Sequence, residues 1–384
     1  MTDPTYPIYP AFALIGFVLV LIPLPWHFQA WNSGTCLFMI WTALGCLNFF
    51  INSIIWHNNV VDWAPIWCDI STRLSIGVSV ATPAASLCIN RRLYNIASCT
   101  TAPITPAQKR RAVLIDLLIG LGIPALQMPL QFVVQGHRYD IWEDVGCYST
   151  TVNTPLAYPL SFLWPNIIGL VSAVYSILIL RAFLRRRAEF SQVLSCNSAL
   201  SFNRYLRLML LATLEIVINV PISSYGLYLN ATKVPIYPWN GWSDLHFDWY
   251  KINAYPAFLW RSNKSLVATL ELSRWSPIIC AFVFFSFFGF AQEARKNYRA
   301  LLFSVTKRLK STFLYPNRDE SLPSSKSSAM RSNLLPVYAS KLTTRGNATS
   351  IYSDTATLIP QSSHPSTWKL DISPTSPSSS PFTA

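Results

Sequence analysis

Seven stretches of this chain are long and oily enough to cross a bilayer, and no other feature limits its folding so tightly. A hydrocarbon core about 30 Å thick takes roughly 20 mainly apolar residues per helix. The stretches run approximately Ile8–Leu24, Thr35–Trp56, Ile66–Asn90, Ala112–Val134, Pro155–Leu180, Leu206–Leu229 and Leu266–Phe290. Barrel strands would alternate apolar and polar residues in segments of about ten; these runs do not. The first stretch is the shortest and ends in Pro23 and Pro25. No basic residue precedes it and no small-residue cleavage site follows it, so it reads as a mature helix rather than a signal segment. Composition agrees. Only 12% of the 384 residues are charged and 51% are hydrophobic, whereas soluble domains carry roughly 25% charged residues. An ordinary soluble enzyme, a disordered protein and a nucleic-acid-binding domain are all excluded. Eight Cys are too sparse for a disulfide scaffold.

The net charge of +13 is a topology signal. One set of connections holds Arg91, Arg92, Lys109, Arg110 and Arg111, then Arg181, Arg185, Arg186, Arg187, Arg204 and Arg207. Arg295, Lys296, Arg299, Lys307, Arg308 and Lys310 follow the last stretch on the same side. The opposite side holds only Arg138, Lys233, Lys251, Arg261 and Lys264. Excess Lys and Arg stay in the cytoplasm, so the amino terminus is expected outside. The reading is an all-α integral membrane protein: a seven-transmembrane helix bundle over residues 1–300, with a cytoplasmic tail over 301–384. From Ser321 onward Ser, Thr and Pro make up half of the residues. Such a segment cannot bury enough apolar surface to offset chain entropy, and disorder is expected. Ser373-Pro374 and Ser376-Pro377 suit proline-directed kinases. Cys99 and Cys196, near the membrane on the cytoplasmic side, are candidates for a reversible lipid anchor.

Cys68 at the outer end of the third stretch and Cys147 in the second outer loop stand where a disulfide can form, or they remain two free thiols. Ionisable residues at membrane depth are costly and face a bundle interior. Asp69 and Arg73 are four apart, and Glu271 and Arg274 three apart, so each couple shares a helical face and can pair. Both couples lie in outer halves of their stretches, among Trp67, Trp164, Trp260 and Trp275. They are either an outer ligand pocket or internal staples. Asp116 and Glu215 are isolated acids in the inner half. Pro83, Pro124, Pro129, Pro165, Pro221 and Pro277 interrupt the stretches and allow kinks.

Among seven-helix machines, a transporter would show internal repeats with broken helices, and none is visible. A retinal pump needs a Lys in its last helix; Lys264 lies before it. No hydrolase or metalloprotease motif falls in the spans, and neither a cofactor nor a metal is expected. An outward pocket, an inward basic surface and a long polar tail outline a signalling receptor. A solute transporter or channel is the alternative.

Five segments sharpen this. Trp67-Cys-Asp-Ile-Ser-Thr-Arg73, Leu87-Cys-Ile-Asn-Arg-Arg-Leu-Tyr-Asn-Ile-Ala-Ser98 and Gln135-Gly-His-Arg-Tyr-Asp-Ile-Trp-Glu-Asp-Val-Gly-Cys147 are three of them. Asn203-Arg-Tyr-Leu-Arg-Leu-Met209 is the fourth, and Arg274-Trp-Ser-Pro277 with Phe287-Phe-Gly-Phe-Ala-Gln-Glu-Ala294 is the fifth. The chain resembles through them the fungal lipopeptide mating-pheromone receptors, which are class D G-protein-coupled receptors. The resemblance implies a multi-pass plasma-membrane protein that binds a farnesylated peptide and activates a heterotrimeric G protein and a mating MAP-kinase cascade. An orphan receptor without mating-type specificity is a further alternative. Under the resemblance, Trp67, Asp69, Arg73, Trp164, Glu271, Arg274 and Trp275 are the expected ligand-facing residues. Arg91, Arg92, Arg185, Arg186, Arg187 and Arg204 are the expected G-protein contacts. Arg91-Arg92 has no acidic neighbour in sequence, so any ionic lock must draw its partner from elsewhere.

Overall fold

Long apolar runs with sparse charge leave the backbone one way to satisfy its hydrogen bonds in hydrocarbon, and that is the helix. The structure, a computed structural model, describes residues 3–98, 105–185 and 202–290, all within the unit Met1–Asn317. Among the described residues, seven helices are long and apolar enough to span. They are Ile8–Gln29, Ser33–Ile55, Pro65–Ala97, Pro106–Val133, Trp164–Arg185, Tyr205–Thr232 and Lys264–Phe288. The tail, Cys99, Cys196, Arg186 and Arg187 lie outside the described residues.

Spans two and three form the centre. In each, 72% of the most apolar window is buried, against 18% in span six. Phe38, Met39, Cys46, Ala81, Ala85, Ile278 and Phe284 are core members from spans two, three and seven. Asn48 and Asn52 of span two bond the hydroxyls of Ser75 and Ser71 on span three, at 2.9 Å each. Buried amides at membrane depth are tolerated because each finds such a partner.

Two spans differ from the expected bounds for physical reasons, and a third is irregular within. Span three continues past Asn90 as one helix to Ser98, so Arg91 and Arg92 are helical and point to different neighbours. Span five begins at Trp164, not Pro155, because a separate π turn at Tyr158–Phe162 precedes it. Span four contains a π turn at Leu118–Gly122, one turn before Pro124. There the Gly120 carbonyl accepts the Trp41 indole N–H at 2.9 Å. A π turn shifts a carbonyl out of register, and here it ties span four to span two.

The outer side carries a small sheet that helical periodicity gave no sign of. Strands β1 (Tyr139–Trp142), β2 (Gly146–Tyr148) and β3 (Ile252–Tyr255) lie in the order β2-β1-β3. β1 pairs antiparallel with β2, and parallel with β3 from the third outer loop. Strands of three and four residues are too short for a period-of-two pattern to register. The β1–β2 turn needs positive φ at Asp144 (67°) and Gly146 (93°). A Cβ at Gly146 would also lie 2.6 Å from that of Asn52, so glycine is required twice over.

A disulfide joins Cys68 to Cys147, with Cα atoms 5.2 Å apart and a sequence separation of 79. It fixes β2 to the top of span three. Closing so long a loop stabilises by about 2–4 kcal/mol. Cys147→Ser is therefore expected to lower the unfolding midpoint of detergent-solubilised protein by roughly 5 °C or more, followed by size-exclusion after heating. An unchanged midpoint would show that the bridge constrains nothing.

Candidate functional site

Arg274 is 1% exposed. A guanidinium has five N–H donors and stays charged in a protein, so burial at membrane depth is tolerable only if all five are met. They are. Nε and Nη2 fork onto the two oxygens of Glu271, one turn earlier, at 2.8 Å each. Nη2 also donates to Thr5 Oγ1 at 2.8 Å. Nη1 donates to the Asp144 carbonyl at 3.2 Å and to Asp3 Oδ2 at 3.4 Å. The guanidinium lies 4.4 Å from the ring centroid of Tyr9, whose hydroxyl donates back to the Arg274 carbonyl. One side chain thus joins the amino-terminal segment, the β1–β2 turn and span seven.

A second cation completes the hub. Arg261 Nη2 reaches Asp3 Oδ1 at 3.3 Å and Asp144 Oδ2 at 3.2 Å. Asp144 also accepts from the Asn58 backbone N–H at 3.1 Å, and its own N–H donates to the Trp56 carbonyl. Three acids, Asp3, Asp144 and Glu271, thus face two arginines, and the hub closes the outer mouth. Burial raises the Asp3 carboxyl, but the Thr5 N–H and the Arg274 charge outweigh it, so its pKa lies below the usual range. At Asp144 burial outweighs the Asn58 N–H and Arg261, and the pKa is raised. The signs oppose. Asp3 contributes stability above its unfolded pKa that is lost as pH falls through its lower folded value. Asp144 carries a penalty above its raised folded value that acid relieves. For these two carboxylates the effects of acid are therefore opposed.

The expected couples have different fates. Glu271 and Arg274 pair. Asp69 and Arg73 do not pair with each other. Asp69 takes the fork of Arg138 from the second outer loop, at 2.9 and 2.5 Å. Arg73 turns to Gln131 Oε1 at 2.7 Å and Gln135 Oε1 at 2.5 Å, with its guanidinium 5.0 Å from the Phe132 ring centroid. A pair four apart on one helix is worth only about 0.2–0.5 kcal/mol, so two better-shaped partners override it. Gln131 then bonds Ser149 and Thr151, at 2.9 and 3.0 Å. Span three is thereby tied to span four and the second outer loop.

The tryptophans separate into three places. Trp275 donates to Glu271 Oε2 at 3.1 Å and meets Tyr9 edge-on, inside the hub. Trp67 donates to Asn52 at 2.7 Å and packs with Trp56, Tyr139 and the disulfide, beside it. Trp164, the first residue of span five, packs against the buried cluster of Val80, Ala84, Leu87 and Ile168 from spans three and five, apart from the hub.

At the inner end, Arg91 is half of a buried ion pair. Its Nη2 lies 2.6 Å from Asp116 Oδ1 on span four, and Asp116 is 1% exposed. Ser33, which starts span two, donates to the other oxygen of Asp116. In this structure Arg91 is thus engaged inside the bundle rather than presented as an open contact. Asp116, set aside as an isolated acid, is the partner that the sequence around Arg91 lacks. Arg92 donates to the Trp31 carbonyl. Arg185 is exposed at the end of span five. Arg204 starts span six, and its side chain, like that of Glu215, lies outside the described residues. Arg207 Nη1 donates to the Phe287 carbonyl at 3.3 Å, linking spans six and seven.

A disulfide-tied lid over a seven-helix bundle has known relatives. A family model described as the pheromone A receptor matches residues 8–307. The chain belongs to the pheromone A receptor family. It is 50% identical over 327 residues to the pheromone B alpha 3 receptor of Schizophyllum commune (strain H4-8 / FGSC 9210), covering 85% of this chain and 52% of that one. The pheromone B alpha 2 receptor of Schizophyllum commune is 47% identical over 352 residues, 92% of this chain and 54% of that one. Pheromone receptor 1 of Mycosarcoma maydis is 38% identical over 303 residues, 77% of this chain and 85% of that one. The chain spans about half the length of the Schizophyllum relatives. The family is one of signalling receptors, not of enzymes. Its members are multi-pass proteins of the plasma membrane, and this chain is one.

In this chain Asp3, Thr5, Tyr9, Asp144 and Arg261 were missed as hub members. They come from an amino-terminal segment, a turn and a loop, and nothing periodic marks them. The available signal was arithmetic: a membrane-depth Arg needs more acceptors than one Glu supplies.

Arg274→Ala would leave the partly buried Glu271 without a cation and the buried Asp3 with Arg261 alone, at a cost of up to about 3–5 kcal/mol. The expected result is a large fall in unfolding midpoint and surface expression. Arg138→Ala breaks a pair whose side chains are 27% and 46% exposed and should cost under about 1 kcal/mol. Equal losses in the two variants would contradict the hub.

Proposed function

We propose that this chain is a G-protein-coupled receptor for a short peptide pheromone whose carboxyl-terminal Cys is prenylated. The observation that carries the reading is the hub: in a chain of this family, the outer mouth is shut by contacts that converge on one residue of span seven. Ligand that engages the mouth therefore acts directly on a membrane helix.

The energetics suit a switch. Moving a two-state bundle from about 1:99 to 99:1 needs a ligand that favours the open form by about 5.5 kcal/mol. Stripping acceptors from a buried guanidinium costs about 3–5 kcal/mol, so the hub alone can hold the resting state. Agonist then shifts the population by replacing Asp3 and Thr5 as acceptors while its apolar chain lies among the helices. Pro221 in span six and Pro277 in span seven remove backbone hydrogen bonds where those helices must bend. At the inner end the Arg207–Phe287 and Arg91–Asp116 contacts resist separation of the helices. The G protein meets Arg92, Arg185, Arg186, Arg187 and Arg204, and gains Arg91 once it leaves Asp116. Ser373 and Ser376 are sites for tail kinases.

The test is expression in reporter yeast lacking its own receptor, challenged with a panel of synthetic peptides in prenylated and unprenylated forms. A transcriptional response to prenylated peptides alone is expected. Equal response to both forms, or solute uptake without any response from correctly localised protein, would overturn the proposal.

A further inference from the structure

The third outer loop does not cross directly from span six to span seven. It first runs past the entrance to span five, where Asn153 Nδ2 donates to the carbonyls of Asn230, Val234 and Pro235 at 2.7, 3.1 and 3.2 Å. The Tyr237 N–H donates back to the Asn153 carbonyl at 2.9 Å. It then reaches the last turn of span four. There Trp242, His246 and Trp249 surround Phe132, with ring centroids 5.7, 5.6 and 5.0 Å away. The loop returns through the Trp249 carbonyl, which accepts the Arg138 N–H, and through β3. It therefore circles the rim of spans six, five and four at the height of the last turn of a membrane helix.

This strap buries few of its own apolar side chains. Phe247 is 91% exposed and Tyr250 is 84% exposed. Tyr237, Ile236 and Trp242 are 54%, 52% and 49% exposed. Exposed aromatics in such density mark an interaction surface. Phe, Tyr and Trp at a helix-end level fit the boundary between headgroups and acyl chains, where an apolar ring and a polar tip are both accommodated. The patch continues the lipid-facing side of span six, where Tyr225 and Tyr228 are exposed just before the loop begins. Exposed Lys233 and Lys251 flank it and exposed Asp244 and Asp248 lie within it, so both signs are at hand for a zwitterionic headgroup layer.

We propose that residues 233–251 form a collar seated in the headgroup boundary of the outer leaflet, with bilayer lipid as its partner. The collar carries β3 and so moors one edge of the lid to the membrane. The assignment does not depend on which ligand the receptor takes.

The test uses the full chain in phosphatidylcholine nanodiscs, with Phe247→Cys or Tyr250→Cys bearing an environment-sensitive fluorophore. Cys99 and Cys196 are changed to Ser in both; Cys36, Cys46, Cys88 and Cys280 are buried. Lipid spin-labelled high on the acyl chain should at least halve the emission, lipid labelled near the chain end should do less, and aqueous iodide should do little. Emission untouched by lipid-borne quencher overturns the proposal at either site. That holds whether iodide then quenches freely, which places the patch in water, or is excluded by a second receptor copy or by added peptide.

Discussion

A cation shut away from water must find an acceptor for every proton it carries, and Arg274 organises the outer half of this molecule for that reason. Glu271 supplies two acceptors from the same helix, and no nearby residue of span seven supplies the remaining three. Thr5 and Asp3 must therefore be held in place by the amino-terminal segment, and the Asp144 carbonyl by the β1–β2 turn. The turn keeps its position because the disulfide fixes β2 to span three and because Asp144 is itself bonded to Trp56 and Asn58. Lid and bundle are thus one electrostatic unit, and neither closes without the other.

The inner end uses the same chemistry with fewer members. Arg91 and Asp116 join spans three and four, and Ser33 brings in the start of span two. Both ends of span three are consequently anchored by charge, Asp69 and Arg73 outside and Arg91 inside, while its middle is small and apolar. Span six is bound differently. None of its described residues from 213 to 232 is buried; there Asn166 accepts from Ser223 and Ser224 at 3.0 and 2.8 Å, and Asn153 donates to the Asn230 carbonyl at 2.7 Å. Span six, the least enclosed of the described spans, also carries a proline near its centre, Pro221, as expected of a moving part.

What could be read from the residues follows from periodicity and cost. The seven apolar runs foretold the bundle, because hydrocarbon thickness is a severe constraint that each segment reports alone. Glu271 with Arg274 was visible for the same reason: two ionisable groups one turn apart at membrane depth leave few alternatives. Asp69 with Arg73 looked identical in spacing and came out differently. Its outcome depended on Arg138 and Gln131, which approach from segments whose placement no local pattern encodes. The strands, the collar and the Asp116 partner of Arg91 escaped for that reason as well. They are products of chain crossings, not of helical phase.

The central claim is that the amino-terminal segment and span seven are energetically coupled through the hub. A double-mutant cycle on unfolding stability, with Asp3→Ala and Arg274→Ala singly and together, measures that coupling directly. Residues sharing a charge network show interaction energies of about 0.5–3 kcal/mol, and the hub predicts a value of at least about 1 kcal/mol. Additive losses, with a coupling indistinguishable from zero, would contradict it.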